Sequence, residues 1–330
     1  MAPPSPLTLS PPAPAGVGGE VGCPADVVPV TGHEESSAMD SVLTQVFLPV
    51  ALGIVMLGLG LGLTVADFKR IVVFPKAVLV ALVCQVLLLP AVCFGLVLLL
   101  DLDPTLAAGM MLLAASPGGT TANLYSHLFG GNVALNVTLT AVNSVLAIFT
   151  LPLVVNFALN HFLSGTDQIG LQFGKSLQVF AIVLIPVAIG MFIRSRSVDF
   201  ADRMHRPVRI LSVVVLVLVI IGTLVSERDN IADYFADAGL VALLFNVISL
   251  GVGYFLPRLA GLDRADSVAA AMEIGIHNGT LAIFIATTLL ASTALAVPAA
   301  VYSIIMFFTA AAFGYLVRPA RVAAEPALES

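Results

Sequence analysis

Nine apolar blocks, most of them about 20 residues long, constrain this chain more than any other feature. They run at about 43–64, 77–100, 105–129, 132–161, 173–193, 208–226, 238–257, 265–290 and 297–317. A run of ~20 apolar residues matches the hydrocarbon thickness of a bilayer. Inside that layer only a helix or a closed barrel satisfies every backbone N–H and C=O, and blocks of this length specify helices. Composition agrees: 59% of the 330 residues are hydrophobic, 10% are charged, and mean hydropathy is +1.05. That is too little charge to cover a soluble domain of this size. The predicted fold class is an all-α polytopic membrane protein of nine transmembrane helices. Its surroundings are the lipid bilayer, and no basic patch or nucleic-acid motif is present.

Residues 1–38 are rich in Pro, Gly, Ser and Val and contain no Lys, Arg or continuous apolar stretch. A signal peptide needs both a basic start and an apolar core, so we expect a disordered N-terminal tail instead. Met39 stands just before the first block and is an alternative start. The membrane domain is expected over 39–320, with a C-terminal tail at 321–330. Three cysteines are present. Cys84 and Cys93 are nine residues apart in one block, which places them on opposite helix faces. With Cys23 they form no zinc spacing and no disulfide framework.

The connectors test the count. Lys69, Arg70 and Lys76 follow the first block, and Arg194, Arg196, Arg203, Arg206 and Arg209 follow the fifth. Arg258 and Arg264 follow the seventh, and Arg318 and Arg321 the ninth. If connectors alternate between sides, these twelve of the 14 Lys and Arg share one side, with Lys175 and Arg228 on the other. Basic residues favour the cytoplasm. The expected arrangement is a multi-pass protein of the cell membrane, N-terminus outside and C-terminus cytoplasmic.

Among 20 Asp and Glu, Glu273 alone lies in the middle of a block. A carboxylate at that depth costs at least ~2.5 kcal/mol. No Lys or Arg sits at comparable depth, so its partner is a bound cation, a proton or neutral donors. Glu273 belongs to Met272-Glu273-Ile274-Gly275-Ile276-His277-Asn278-Gly279-Thr280, where glycines and polar residues interrupt the eighth block. Ser116-Pro117-Gly118-Gly119-Thr120-Thr121-Ala122-Asn123 interrupts the third at similar depth. Broken backbone survives in a membrane only when buried in protein or lining a cavity. Two interrupted spans in corresponding positions point to a transport site. Each break offers a half-helix N-terminus that attracts an anion and a C-terminal end that attracts a cation. In the fourth block Asn132, Asn136, Thr140, Asn143 and Ser144 form one polar stripe, which faces other helices rather than lipid. Gln85 and Asn246 are single polar residues in the second and seventh blocks.

Four segments carry a resemblance. They are Leu52 to Thr64 (LGIVMLGLGLGLT), Pro117 to Asn123 (PGGTTAN), Gly131 to Leu135 (GNVAL) and Glu273 to Asn278 (EIGIHN). In order and spacing they resemble the bile acid:sodium symporter family, over nearly all of the membrane part. The resemblance implies inverted repeats of helices, a panel domain and a core domain, with the two broken helices crossing in the core. The panel would be the blocks at 43–64, 173–193 and 208–226. The core would be those at 77–100, 105–129, 132–161, 238–257, 265–290 and 297–317. The first helix of the first repeat looks missing, which gives the nine-span form.

By resemblance, one Na+ site falls on Asn123, Asn136, Thr140 and Glu273. A second uses Gln85, Glu273 and the carbonyls of Ile274 and Ile276. Two residues depart from the family pattern: Ala122 stands in place of a hydroxyl ligand, and His277 in place of a Gln. Substrate is expected at Thr120, Thr121, Asn278, Gly279 and Thr280. The function implied is sodium-coupled symport of a small organic anion, either bile-acid-like, a steroid conjugate, or a carboxylate such as pantoate or pyruvate. The alternative is a proton-coupled transporter using Glu273 and His277. An intramembrane enzyme is disfavoured, since no block holds a Ser/His/Asp set or a HExxH pair. A channel expects rings of like groups from identical subunits.

The partition of Lys and Arg predicts that a cysteine introduced beside Arg203 is labelled by an impermeant thiol reagent only after the membrane is opened. Labelling of intact cells at that position would overturn the topology.

Overall fold

The computed structural model describes residues 48–163, 173–226 and 231–318. Both expected tails, together with Asp167 and Arg228, lie outside these residues. The described chain is all helix: α1 (Leu48–Gly62), α2 (Val65–Lys69), α3 (Pro75–Leu99), α4 (Pro104–Ala114), α5 (Thr121–Leu128) and α6 (Val133–Phe162). They are followed by α7 (Phe173–Arg196), α8 (Val198–Ser226), α9 (Ile231–Leu259), α10 (Arg264–Gly275), α11 (Gly279–Leu289) and α12 (Ala294–Val317). Among the described residues five helices are long and apolar enough to cross a membrane. A sixth span arises if Leu52–Gly62 and Val65–Val72, bent by 70°, count together. α4 and α11 are shorter apolar helices. The protein is thus an all-helical polytopic membrane protein, with large apolar side chains such as Leu153, Phe308 and Leu316 on its outer surface.

The helices start where the sequence supplies caps. Asp103, followed by Pro104, accepts from Thr105 N at 2.8 Å and opens α4. Asn132 accepts from Leu135 N at 3.1 Å and opens α6. Asp263 accepts from Asp266 N at 2.8 Å and opens α10. Thr64 and Asp67 form a capping box at α2, and Asp67, though buried, is neutralised by Arg70 at 2.6 Å.

Three details differ from the sequence reading. α8 begins at Val198, ten residues before the sixth block, because an amphipathic, charge-rich turn extends the helix beyond its apolar stretch. The first block is helical to Gly62 and then bends, since Thr64 starts a new helix. Cys84 and Cys93, read as lying on opposite faces, are both at most 1% exposed. α3 makes a π turn over Cys84–Leu88, and this wider turn shifts the phase of everything after it.

The connectors after the first, third, fifth, seventh and ninth blocks gather at one end. Arg264 donates from Nε to Val317 O at 2.8 Å and from Nη2 to Phe129 O at 3.1 Å, serving the ends of α12 and α5. Asn132 N donates to Ala265 O at 2.9 Å. Arg194 Nη1 reaches Leu61 O at 2.9 Å, tying the end of α7 to that of α1. A Cβ placed on Gly261 would lie 3.7 Å from Lys76 Nζ, joining the first connector to the seventh. Arg194 and Arg264 sit on carbonyls left over at helix C-termini, where the dipole favours a cation.

α1, α7 and α8 pack through small residues. A Cβ on Gly60 would lie 2.2 Å from Val187 O, and one on Gly190 2.6 Å from Leu61 N. Here backbone meets backbone, the contact that drives helix association without a hydrophobic term. Gly60→Val should therefore cost at least the upper end of the ~1–3 kcal/mol typical of overpacking. Gly251→Ala, where a Cβ would meet nothing within 4 Å, should be neutral. Melting temperatures of the purified variants in detergent check both.

Candidate functional site

Two helix breaks face each other. α4 ends at Ala114, and Ser116 Oγ folds back to Leu112 O at 3.1 Å. Pro117 has no N–H, and its carbonyl accepts from Asn278 N at 2.8 Å. On the other side α10 ends at Gly275, and Ile276 turns extended with φ −107° and ψ 91°. Its carbonyl accepts from Gly119 N at 2.7 Å. The two strands of backbone form a one-residue antiparallel bridge between Gly118 and His277. Each break thus satisfies part of the other.

This pairing leaves selected oxygens free. Asn278 N would close the next helical bond to Ile274 O but goes to Pro117 O instead. Ile276 O has spent one lone pair on Gly119. Gly275 O accepts from Asn246 Nδ2 at 2.8 Å and from Tyr302 Oη at 2.9 Å.

Glu273 is 2% exposed. Thr140 Oγ1 lies 2.6 Å from its Oε2 and 3.0 Å from Asn136 O, so one hydroxyl proton serves two acceptors. The ion pairs among the described residues are Arg70–Asp67 and Arg194–Asp202, and neither involves Glu273. Its carboxyl lies so close to the first break that a Cβ on Gly118 would fall 2.2 Å from Oε1. Only glycine leaves room for it.

The polar stripe of α6 is turned toward α10. Asn132 Nδ2 donates to Asp266 Oδ1 at 2.7 Å, and Asn136 Nδ2 to Ala269 O at 2.7 Å. Asn136, Thr140 and Asn143 are buried, while Ser144 returns its proton to Thr140 O at 2.7 Å. With their donors so used, Asn136 Oδ1, Asn123 Oδ1, Glu273 Oε1 and Gln85 Oε1 are buried with no hydrogen-bond partner. Buried acceptors are seldom left bare. Asn143 Nδ2, on the same stripe, is a buried donor left bare with them, and amide and carboxylate oxygens are the ligands that hard cations prefer. Ala122, fully buried, contributes no oxygen from its side chain.

His277 is held on both nitrogens. Tyr302 Oη donates to Gly275 O and accepts from Asn246 Nδ2 at 2.7 Å. His277 Nδ1, 3.0 Å from the same hydroxyl, is then the second donor to it. Nε2 is left as acceptor and faces Gln85 Nε2 at 3.4 Å, and that amide nitrogen also donates to Ser116 O at 3.2 Å. Thr309 Oγ1 closes the chain on Asn246 Oδ1. Tyr302 and Thr309 did not stand out in the sequence. A tyrosine inside an apolar block is the signal that was there to read, since a buried phenol seeks a partner.

Two cavities adjoin the breaks. The smaller, about 40 Å³, is lined by Thr120, Thr121, Asn278, Gly279 and Thr280, all five residues expected to face substrate. Asn278 is also the cap of α11, its Oδ1 accepting from Leu281 N at 3.1 Å. The larger, about 420 Å³, lies between α1 and the α5–α6 corner and shares Val55, Thr120 and Ser212 with the smaller. A volume of this size suits a small-molecule ligand.

Tyr302→Phe removes one hydroxyl and strands the Nδ1–H of His277, while Asn246 Nδ2 and Gly275 O keep each other as partners. At ~1–3 kcal/mol for a buried group left bare, a loss in that range is expected. It is read as a lower melting temperature in detergent, with Tyr254→Phe as the control.

A profile of the Sodium Bile acid symporter family matches residues 49–234. The chain is 31% identical over 258 residues to "Probable sodium/metabolite cotransporter BASS1, chloroplastic" of Arabidopsis thaliana, covering 77% of this chain and 62% of that protein. It is 29% identical to "Uncharacterized sodium-dependent transporter YocS" of Bacillus subtilis, covering 78% of each. It is 25% identical over 270 residues to "Ileal sodium/bile acid cotransporter" of Oryctolagus cuniculus, covering 79% and 76%. The chain spans less than two thirds of the length of the Arabidopsis relative. The profile matches more than half of the 330 residues, and the chain therefore belongs to the sodium bile acid symporter family, a family of transporters and not of enzymes.

Proposed function

We propose that this chain is a secondary active transporter that couples inward movement of an organic anion to sodium by alternating access. The observation that carries the reading is the set of partnerless buried oxygens on Asn123, Asn136, Glu273 and Gln85 beside two paired helix breaks. We assign the first Na+ site to Asn123, Asn136, Thr140 and Glu273. Water or a carbonyl replaces the ligand that Ala122 does not supply. The second site would draw on Gln85, Glu273, Ile274 and Ile276. His277 adds nothing to it, because its nitrogens are engaged with Tyr302 and Gln85. The same engagement weighs against His277 as a proton carrier, so sodium is preferred over the proton alternative. The names of the Bacillus and rabbit relatives carry the same ion.

The finer architecture we infer has nine spans: α1, α3, α4–α5, α6, α7, α8, α9, α10–α11 and α12. α1, α7 and α8 form the panel and the others the core, in inverted repeats. Support comes from the odd-numbered connectors meeting at one end and from the basic residues they carry. That end faces the cytoplasm, the N-terminus is outside, and the protein resides in the cell membrane, as suits a relative from a bacterium. Substrate binds at Thr120, Thr121, Asn278, Gly279 and Thr280.

Uptake of labelled organic anions into proteoliposomes, with and without a sodium gradient, tests the whole. Glu273→Gln keeps shape and loses charge, and should abolish sodium-driven accumulation. Wild-type accumulation by that variant would sink the assignment. The Hill slope against sodium should be near one, rising toward two in His277→Gln. Each charge moved with the membrane potential contributes about 2.3 kcal/mol per 100 mV, so the extra ion should also raise the accumulation ratio. A wild-type slope near two, unchanged by the substitution, would restore the second site.

A further inference from the structure

The larger cavity is mostly apolar, with Val55, Leu59, Val133 and Val137 on its walls. Two charged side chains line it, Arg194 and Asp202. Arg194 stands in the last turn of α7, and its Nη1 is 2.9 Å from both Leu61 O and Asp202 Oδ1. The two contacts differ in kind. Leu61 O belongs to the last turn of α1, where carbonyls lack helical donors, so the guanidinium is anchored from behind by a fixed backbone group. Asp202 is 61% exposed on its side chain, against 23% for Arg194, and an ion pair that open to water is weak and replaceable. Among the described residues, Nε and Nη2 of Arg194 make no hydrogen bond. The result is a positioned guanidinium with donors to spare at the wall of an apolar cavity, held by a carboxylate that can leave.

We propose that Arg194 recognises the anionic group of the transported molecule, and that Asp202 is a resident carboxylate which the incoming anion displaces. This rests on the reading of the chain as an organic anion symporter and adds to it a residue that recognises the anion. A planar guanidinium pairs two N–H donors with a carboxylate, sulfonate or sulfate. The surrounding Val and Leu fit a hydrocarbon body. When the cavity is empty, Asp202 keeps the guanidinium neutralised and oriented.

The test uses the full-length protein in proteoliposomes with a sodium gradient and three labelled probes: a C24 steroid carboxylate, its uncharged primary amide, and a three-carbon carboxylate. Wild type should favour the steroid carboxylate over its amide by at least tenfold. Arg194→Gln should raise KM for the carboxylate at least tenfold with little change in kcat, leaving the amide unaffected. Asp202→Asn keeps the bond to Leu61 O and removes the competitor, so it should lower KM severalfold. A structural tie alone would make both variants less stable without changing the preference between carboxylate and amide. Where Arg194→Gln fails to fold, Arg194→Lys and Asp202→Asn carry the comparison. Unchanged carboxylate preference in the Arg194 variants, or an unchanged or raised KM in Asp202→Asn, would overturn the assignment. Uptake of the three-carbon probe alone would overturn the fit to a hydrocarbon body while leaving sodium symport standing. No sodium-driven uptake of any anion would remove the symporter reading and this one with it.

Discussion

Two N–H···O bonds hold the centre of this protein together: Gly119 to Ile276 and Asn278 to Pro117. A bilayer offers no water to a broken helix, and each unsatisfied backbone group there costs several kcal/mol. One break would have to be hidden by side chains. Two breaks at the same depth solve the problem by pairing with each other, as strands do. The solution fixes the register of α4–α5 against α10–α11 to a single residue. Glu273, Gly118, His277 and Asn278 take their places from that register.

The pairing also decides which groups stay bare. Donors are consumed first: Asn278 N by Pro117, Asn136 Nδ2 by Ala269, Gln85 Nε2 by Ser116, Tyr302 Oη by Gly275. What remains bare is mostly oxygen, on Asn123, Asn136, Gln85, Glu273 and Ser126, together with the donor Asn143 Nδ2. Among the described residues no group of three His, Cys, Asp or Glu gathers that could hold a divalent metal. The donors present carry a single carboxylate, a charge that suits a monovalent ion. Leaving acceptors bare in a dry core is unfavourable, so the empty arrangement gains from any small cation that reaches it.

Much of this was legible in the chain. Block length revealed the helices. Pro117-Gly118-Gly119 and Gly275 to Gly279 marked the breaks, and the lone acid pointed to Glu273. The four-residue steps of Asn132, Asn136 and Thr140 put their stripe on one face, and that face does meet α10. Hydropathy is blind to what escaped it. A π turn at Cys84–Leu88 changes phase without changing composition, and both cysteines are buried. The start of α8 carries Asp199, Asp202, Arg203 and Arg206, a polar stretch that an apolar window leaves out by starting too late. Arg194 counted only as a charge on one side, because sequence does not reveal that Leu61 O lies 2.9 Å away.

The glycine contacts of α1 with α7 bear on mechanics. Where Gly60 and Gly190 bring backbone against backbone, no rotamer is free to change, and the joint is stiff. Between α1 and the breaks lie two cavities and the flexible side chain of Met306. That seam is less densely packed than the glycine joint. A displacement starting at Glu273 therefore meets less steric resistance along the seam than within the glycine-packed helices.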